Sequence, residues 1–163
     1  GYVETYPADY ERRDTTVTIN AELAYDASYY SSTIVQYDIE AASRALGLST
    51  AQLQAVRCAT SANPGFVGVN NTSTAITPTT TTSTSSSTVF GHWFNNSGNV
   101  CNYDTNARIF AEFRPATFKC TVGQYPGRLT RGRTYTIKQA IRYRPTGSTK
   151  YYTCTYIVKL KVV

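Results

Sequence analysis

Alternating apolar and polar residues dominate the chain and predict β-strands. In residues 15–25 one face carries five apolar side chains, namely Val17, Ile19, Ala21, Leu23 and Tyr25. A period of two residues is typical of a strand with one buried side. The residue pattern predicts further strands at 33–37, 107–113, 117–122, 134–144 and 150–162.

Two short segments have helical signals instead. Asp38 is a good N-cap for a helix over residues 39–46, and Gly47 is a good residue to end it. Ser49 can cap a second short helix over residues 50–56. The apolar residues of both segments are expected to pack on a sheet or to close its end.

These elements predict a mainly β fold, a β-sandwich of antiparallel sheets with one or two short helices. With 163 residues the chain is long enough for one domain with a substantial core. We expect a single module over residues 15–163, preceded by an arm or linker end at 1–14. The segment 60–88 is rich in Thr and Ser and predicts a solvated loop with a short edge strand.

Composition indicates a secreted protein or one on the outer cell surface. Charged residues make up only 16% of the chain, against about 25% in average soluble domains. The four cysteines lack C-x-x-C spacing, and with one histidine a zinc site is not expected. We therefore predict two disulfides, Cys120–Cys154 and Cys58–Cys101 by preference. No apolar run reaches the length of about 18 residues that spans a membrane, so any anchor would be a lipid on a leader outside this sequence.

Charge is distributed unevenly along the chain. Residues 1–100 carry 4 basic and 8 acidic side chains, whereas residues 101–163 carry 12 basic and 2 acidic ones. Such asymmetry can mark an anionic partner, but the two halves can also interleave in one sheet system and mix their charges. Lys138, Arg142 and Arg144 have the same strand parity, so they are expected to share one sheet face that could meet sulfates or uronates.

One stretch, residues 90–101, concentrates unusual residues. It contains Trp93, which is the only tryptophan, and His92, which is the only histidine. Trp93 lies just before a predicted tight turn at residues 95–99. An aromatic ring there can serve as a ligand platform or as a plug that closes one end of the sandwich, and the sequence leaves both interpretations open.

An ordered series of motifs resembles a known family. The series consists of residues 38–48, Gly91-His92-Trp93-Phe94, Val100-Cys101-Asn102-Tyr103, Phe110–Phe113, Val122–Gly127 and Gly132–Thr136. It is similar to a domain-of-unknown-function family from secreted or surface proteins of polysaccharide-utilising Gram-negative bacteria. The resemblance covers residues 15–163 and implies a β-sandwich-like module among other domains of a surface protein that handles glycans. The family supplies no catalytic residues.

These observations predict a module that binds carbohydrate through an aromatic rim. Sugar rings can pack on aromatic faces, while Asn, Gln and Arg bind hydroxyl groups. The predicted ligand-binding residues are Trp93, Phe94, Tyr103, Gln124 and Tyr125, with Lys138, Arg142 and Arg144 for an acidic glycan.

Two other functions remain as alternatives. One is a purely structural or protein-interaction module of a larger surface protein. The other is a small glycan-active enzyme that uses Asp104 and Glu112, the two acids of the C-terminal part. We expect instead a turn hydrogen bond for Asp104 and an ion pair of Glu112 with Arg108 or Arg114. No cofactor, metal or nucleic-acid partner is expected, because no corresponding motif is present.

Overall fold

The computed structural model describes residues 11–55, 57–58, 65–69, 76–78, 80–81, 90–143 and 149–163. The helices are α1 (Ile39–Leu46) and α2 (Thr50–Gln54). The strands are β1 (Glu11–Leu23), β2 (Ser31–Gln36), β3 (Arg57–Cys58), β4 (Gly65–Val69), β5 (Ile76–Pro78), β6 (Thr80–Thr81), β7 (Phe90–Phe94), β8 (Val100–Cys101), β9 (Ile109–Arg114), β10 (Lys119–Gln124), β11 (Thr134–Tyr143) and β12 (Lys150–Val162).

The strands form two sheets that pack face to face. The first sheet has the order β1-β12-β11-β4-β3, with β5 added on β4. The second has the order β2-β10-β9-β7-β6, with β8 added on β7. Pairing is antiparallel except between β1 and β12 and between β3 and β4. The predicted mainly β sandwich with one or two short helices is confirmed, and the described helices are two.

The core lies between the sheets because each strand buries alternate residues. In β12, Val158, Leu160 and Val162 are buried, whereas Lys159 and Lys161 between them are exposed. In β9, the inner face is formed by Ile109, Ala111 and Phe113. Together with the inner residues of β10 and β11, these side chains form one continuous apolar cluster.

Tyrosines connect the two sheets at the centre of this core. The Tyr37 ring stacks on Tyr156, with ring centroids 4.4 Å apart and an angle of 16° between the planes. On its other side Tyr37 stacks on Phe113, at 5.2 Å. The Tyr156 hydroxyl donates a hydrogen bond to the backbone oxygen of Asp38, at 2.8 Å, so the first sheet is tied to the start of α1.

The helix caps are those that the sequence predicts. Asp38 accepts a hydrogen bond from the Ala41 amide, and Gly47 ends α1 in the left-handed conformation, with φ of 70°. Ser49 and Gln52 form a capping box at the start of α2. Neither helix in the described part of the chain has the length and apolar character needed to cross a membrane.

Several predicted boundaries differ from the structure. The strands predicted at 33–37, 107–113 and 117–122 are shifted by one or two residues, and α2 ends at Gln54 rather than at residue 56. The strand predicted from residue 15 begins at Glu11, because its pairing with β12 continues to Lys150. Within the predicted loop 60–88, the described residues form only the short strands β4, β5 and β6. The remainder of that loop, and residues 1–10 of the predicted arm, lie outside the described residues.

The predicted disulfides are wrong for this structure, in which Cys101, Cys120 and Cys154 are free thiols. Cys120 and Cys154 belong to opposite sheets, and a disulfide requires their Cα atoms within about 7 Å. Other side chains occupy this region of the core. Gln139 accepts hydrogen bonds from the Tyr37 hydroxyl and from the Cys120 thiol, the latter at 3.4 Å.

The burial of the thiols predicts how readily they can be alkylated. Burial raises the pKa of Cys120 and of Cys154 to about 12. Because the thiolate is the reactive form, we expect both residues to resist alkylation in native protein at neutral pH. Cys101 is half-buried, and burial and the Asp104 charge also raise its pKa, so it should react slowly.

Counting thiols in native and urea-unfolded protein without a reductant tests this expectation. At least the three free thiols should titrate after unfolding. A count of fewer than three thiols, together with a mass deficit of about two protons per disulfide relative to reduced protein, would contradict the structure.

The buried thiols also predict a pH dependence of stability. Since the folded-state pKa of Cys120 and Cys154 lies above the usual 9.0, their contribution to stability is complete below pH 9 and declines as the pH rises towards 12.

Candidate functional site

Five aromatic side chains gather on the outer surface of the second sheet and form what we call the aromatic face. Its members are Tyr30, Trp93, Tyr103, Phe110 and Tyr125. Strand alternation explains why two of them point away from the core. Trp93 and Phe110 lie opposite each other in the β7–β9 pair, and the residues next to Phe110 in β9 are buried inside.

The rings of the aromatic face contact one another in a chain. Tyr103 lies 5.5 Å from Trp93 and 5.8 Å from Tyr125, measured between ring centroids. Tyr125 in turn meets the edges of Tyr30, at 5.4 Å, and Phe110, at 5.8 Å. Edge-to-face and tilted arrangements at these separations are favourable for aromatic pairs. The result is a connected apolar surface rather than isolated exposed rings.

Two neighbouring recesses open along this surface. One, of about 410 Å³, is lined by Tyr30, Tyr103, Asp104, Thr105, Tyr125, Pro126 and Arg128. The other, of about 340 Å³, is lined by Tyr30, Trp93, Tyr103, Phe110, Glu112 and Tyr125. Since three tyrosines are shared, the recesses are adjacent and could hold successive units of one extended ligand.

Gly123 allows the Phe110 ring to lie flat on the sheet. The two residues are directly opposite in the β9–β10 pair. A Cβ atom at Gly123 would lie 2.0 Å from the tip of the Phe110 ring, so any side chain there would force the ring to move. The ring covers the bare backbone of its neighbour, an arrangement known for cross-strand glycine–aromatic pairs.

Gly123→Ala is therefore expected to displace the Phe110 ring. We expect a loss of about 1–3 kcal/mol in the free energy of unfolding, the usual cost of overpacking, and a changed near-ultraviolet circular dichroism spectrum. Gly91→Ala is the matched control, because a Cβ at Gly91 on β7 would meet nothing within 4 Å. Equal unfolding free energies for the two variants would contradict the described packing.

Polar groups border the aromatic face. Burial raises the pKa of the Tyr125 hydroxyl, although a hydrogen bond with Trp93 acts in the opposite direction. Glu112 forms an ion pair with Arg114, at 3.8 Å, and the Asp104 carboxylate accepts a hydrogen bond from the Asn106 amide, at 2.8 Å. The predictions for these two acids are thus confirmed. In the described part of the chain, no three acidic, cysteine or histidine side chains are grouped to hold a metal ion.

The structure brings together three of the predicted binding residues. Trp93 is half-buried on the outer surface and is no part of the core, Tyr103 is 65% exposed, and Tyr125 is 6% exposed. This outward position favours the platform interpretation of Trp93 over the plug, and the platform stays a prediction. The His92 side chain is outside the described residues.

Two predicted binding residues are instead structural, so their assignment was wrong. Phe94 follows Trp93 in β7 and consequently points the opposite way, into the core, where it is 0% exposed. Gln124 is likewise buried, on the inner side of β10. Its side-chain amide donates hydrogen bonds to the backbone oxygens of Asp26, at 2.6 Å, and Tyr29, at 3.1 Å. It thereby holds the segment that carries Tyr30.

Of the three predicted basic residues, only Lys138 has a described side chain. Lys138 belongs to β11 of the first sheet, on the surface that faces away from the core. It is therefore on the opposite side of the sandwich from the aromatic face. The Arg142 side chain and the whole of Arg144 lie outside the described residues, so the predicted grouping of all three stays a prediction.

Tyr30 and Phe110 belong to the site but were missed in the sequence. A signal for Phe110 was present, because alternation in 107–113 puts Ile109, Ala111 and Phe113 on one side and Phe110 on the other. A single outward aromatic residue is common, but next to the outward Trp93 it forms part of a contiguous apolar patch, which is the informative signal. Tyr30 lies outside regular structure, and no periodic signal exists for it.

The fold and this surface define a β-sandwich module with an exposed aromatic face. The chain belongs to the family called domain of unknown function DUF4859, whose family model matches residues 29–149. No curated protein sequence matches the chain.

One solved structure is similar only at a low level. Its title is "Chaperone-tip adhesin complex is vital for synergistic activation of CFA/I fimbriae biogenesis". The sequence identity is 13% and the TM-score 0.17, over 96% of this chain and 55% of that chain. This chain thus spans about half the length of that one, and the likeness supports no conclusion.

Proposed function

We propose that this protein is a carbohydrate-binding module that takes polysaccharide on its aromatic face. The observation that carries the proposal is the contact chain of five aromatic rings on the outer side of a sheet, in which Tyr125 is buried beneath exposed or half-buried rings. The pyranose rings of a polysaccharide have C–H surfaces that gain dispersion and burial energy against such rings. Contiguous exposed apolar surface of this kind marks binding sites in soluble proteins.

The arrangement of the recesses supports an extended ligand. Two adjoining recesses share Tyr30, Tyr103 and Tyr125, and each has its own polar residues at the rim. Hydroxyl groups of a sugar could reach Glu112 in one recess and Thr105 in the other. Both recesses are open to solvent along the sheet surface, which suits a chain that continues past the site.

A protein-interaction surface is the second candidate, and one feature favours it. Ile34 on β2 is 67% exposed on the same surface of the second sheet, in register with Thr121, which pairs with Glu112. An exposed isoleucine suits a protein partner better than a sugar. Ile34→Ala should leave polysaccharide binding unchanged and should weaken binding to a protein partner.

Titration of purified protein with a panel of polysaccharides tests the proposal. Affinity gel electrophoresis and isothermal titration calorimetry should reveal a ligand with a dissociation constant on the order of 10 µM to 1 mM, equivalent to about −4 to −7 kcal/mol. No binding across neutral, uronate-rich and sulfated polymers would favour the protein-interaction candidate instead.

The proposal includes no catalytic role. Asp104 and Glu112 border the recesses, but each already has a partner in the protein. A secreted or cell-surface location remains our prediction from composition. The free thiols remove the argument that paired cysteines gave for an oxidising compartment.

A further inference from the structure

Arg128 has an unusual position at one end of the aromatic face. It lines the larger recess together with Tyr103 and Tyr125. One guanidinium nitrogen, Nη1, donates hydrogen bonds to the backbone oxygens of Ala107, at 2.8 Å, and Asp104, at 3.3 Å. The guanidinium carbon lies 5.3 Å from the centre of the Tyr125 ring. The side chain is therefore held in place although it is exposed.

The way in which Arg128 is held leaves one edge of its guanidinium available. Both hydrogen bonds use Nη1, so within the described residues Nε and Nη2 have no protein partner. These two nitrogens form the edge with which arginine engages two oxygens of a carboxylate or a sulfate in parallel. A positioned guanidinium loses less conformational entropy when it binds than a flexible lysine does.

No acidic side chain in the described part of the chain neutralises Arg128 by an ion pair. The described ion pair near this surface joins Glu112 to Arg114 instead. Asp104 lines the same recess, but its carboxylate accepts the Asn106 amide hydrogen bond and makes no ion pair with Arg128. Arg128 is thus a positioned cation that lies over an aromatic ring and lines a recess.

We propose that the free edge of Arg128 binds an anionic group of the polysaccharide, so that the ligand is an acidic glycan. This inference rests on the proposed carbohydrate-binding function and adds the substrate class. One sugar unit packs on the shared tyrosines, and the carboxylate or sulfate of that unit or the next one pairs with Nε and Nη2. The site is distinct from the predicted basic stripe at Lys138, which lies on the opposite surface of the sandwich.

Paired polymers test the inference. Polygalacturonate is compared with its carboxyl-reduced neutral product, and dextran sulfate with dextran, by affinity gel electrophoresis at low and high salt. We expect wild-type protein to bind one acidic member at least about 10-fold more tightly than its neutral counterpart, as charge-assisted hydrogen bonds allow. The pair that responds identifies the anion as a carboxylate or a sulfate.

Three variants test whether Arg128 causes the preference for acidic over neutral polymers. Arg128→Ala should lower the acidic-to-neutral ratio to about 1 and retain binding to the neutral polymer, which shows that the recess is intact. Arg128→Lys should give an intermediate ratio, because it keeps the charge and loses the two-nitrogen edge. Lys159→Ala is the matched control, since it removes one exposed charge from the outer surface of the first sheet. It should leave the ratio unchanged.

The possible results distinguish failure of the acidic-glycan inference from failure of the proposed carbohydrate-binding function. Equal wild-type affinity for the neutral and acidic members would overturn the inference and keep the carbohydrate-binding function. An unchanged ratio in Arg128→Ala, or the same loss in Lys159→Ala, would also overturn it, because the preference would then come from overall charge. Absence of binding to all four polymers would overturn the proposed function itself.

Discussion

Tyr103→Ala is expected to weaken polysaccharide binding about 30-fold, because truncation of a central aromatic contact typically costs about 2 kcal/mol. Tyr103 lines both recesses, and its ring joins Trp93 to Tyr125. Its side chain is 65% exposed, so its removal should change the free energy of unfolding very little. Calorimetric titration combined with urea unfolding separates the two effects.

Tyr29→Ala provides the matched control. Tyr29 is 74% exposed and is adjacent to Tyr30 in sequence, but it lines neither recess. It should bind polysaccharide like the wild-type protein. If both variants lost affinity equally, or if Tyr103→Ala kept full affinity, the aromatic face as defined by its five rings would not be the binding surface.

The second large effect concerns stability. Tyr156→Ala is expected to lower the free energy of unfolding by about 4 kcal/mol, because it opens a cavity in the core and removes the shorter of two hydrogen bonds to the Asp38 carbonyl, leaving that from the Ala42 amide at 3.4 Å. Tyr156 is fully buried, stacks on Tyr37 and contacts the edge of Phe118. Such a loss is a large part of the about 5–15 kcal/mol that stabilises an average domain.

Tyr156→Phe separates the two contributions. It retains the ring and removes the hydroxyl that bonds to Asp38, so we expect a loss of about 1–3 kcal/mol. Urea unfolding monitored by circular dichroism measures the free energy of unfolding of both variants. A loss below about 1 kcal/mol for Tyr156→Ala would show that the sheets are not joined through this tyrosine.

Sequence alone predicted much of the fold because the signals were local. Alternation in β12 identified which residues face the core, and Asp38 and Gly47 marked the two ends of α1. The beginning of β1 was missed, since the charged residues before Thr15 give no apolar alternation. Its position is set by pairing with β12, a contact between the two ends of the chain.

Part of the site could also be predicted from local sequence signals. Trp93 and Tyr125 lie next to turns, and the Tyr103 ring contacts both of them. Phe94 and Gln124 were included because they are neighbours of these residues, although strand parity turns each of them inwards. Strand parity predicts an inward side chain at both positions, because Phe94 follows the outward Trp93 and Gln124 has the parity of the buried Val122.

The disulfide prediction failed because composition carries no distance information. Four cysteines in a chain poor in charge are typical of paired thiols, yet Cys120 and Cys154 are separate in the core. The Cys120 thiol instead donates a hydrogen bond to the side chain of Gln139. Only the sheet arrangement reveals that polar contact.

Fluorescence of Trp93 tests the central claim most directly, because it is the only tryptophan of the chain and lies on the aromatic face. Titration with the tightest-binding polysaccharide should change its emission saturably, with the same dissociation constant that calorimetry gives. Tyr103→Ala should shift the fluorescence titration to correspondingly higher ligand concentrations. Saturable binding by calorimetry with no change in Trp93 emission would contradict the account, since the polysaccharide would then occupy another surface.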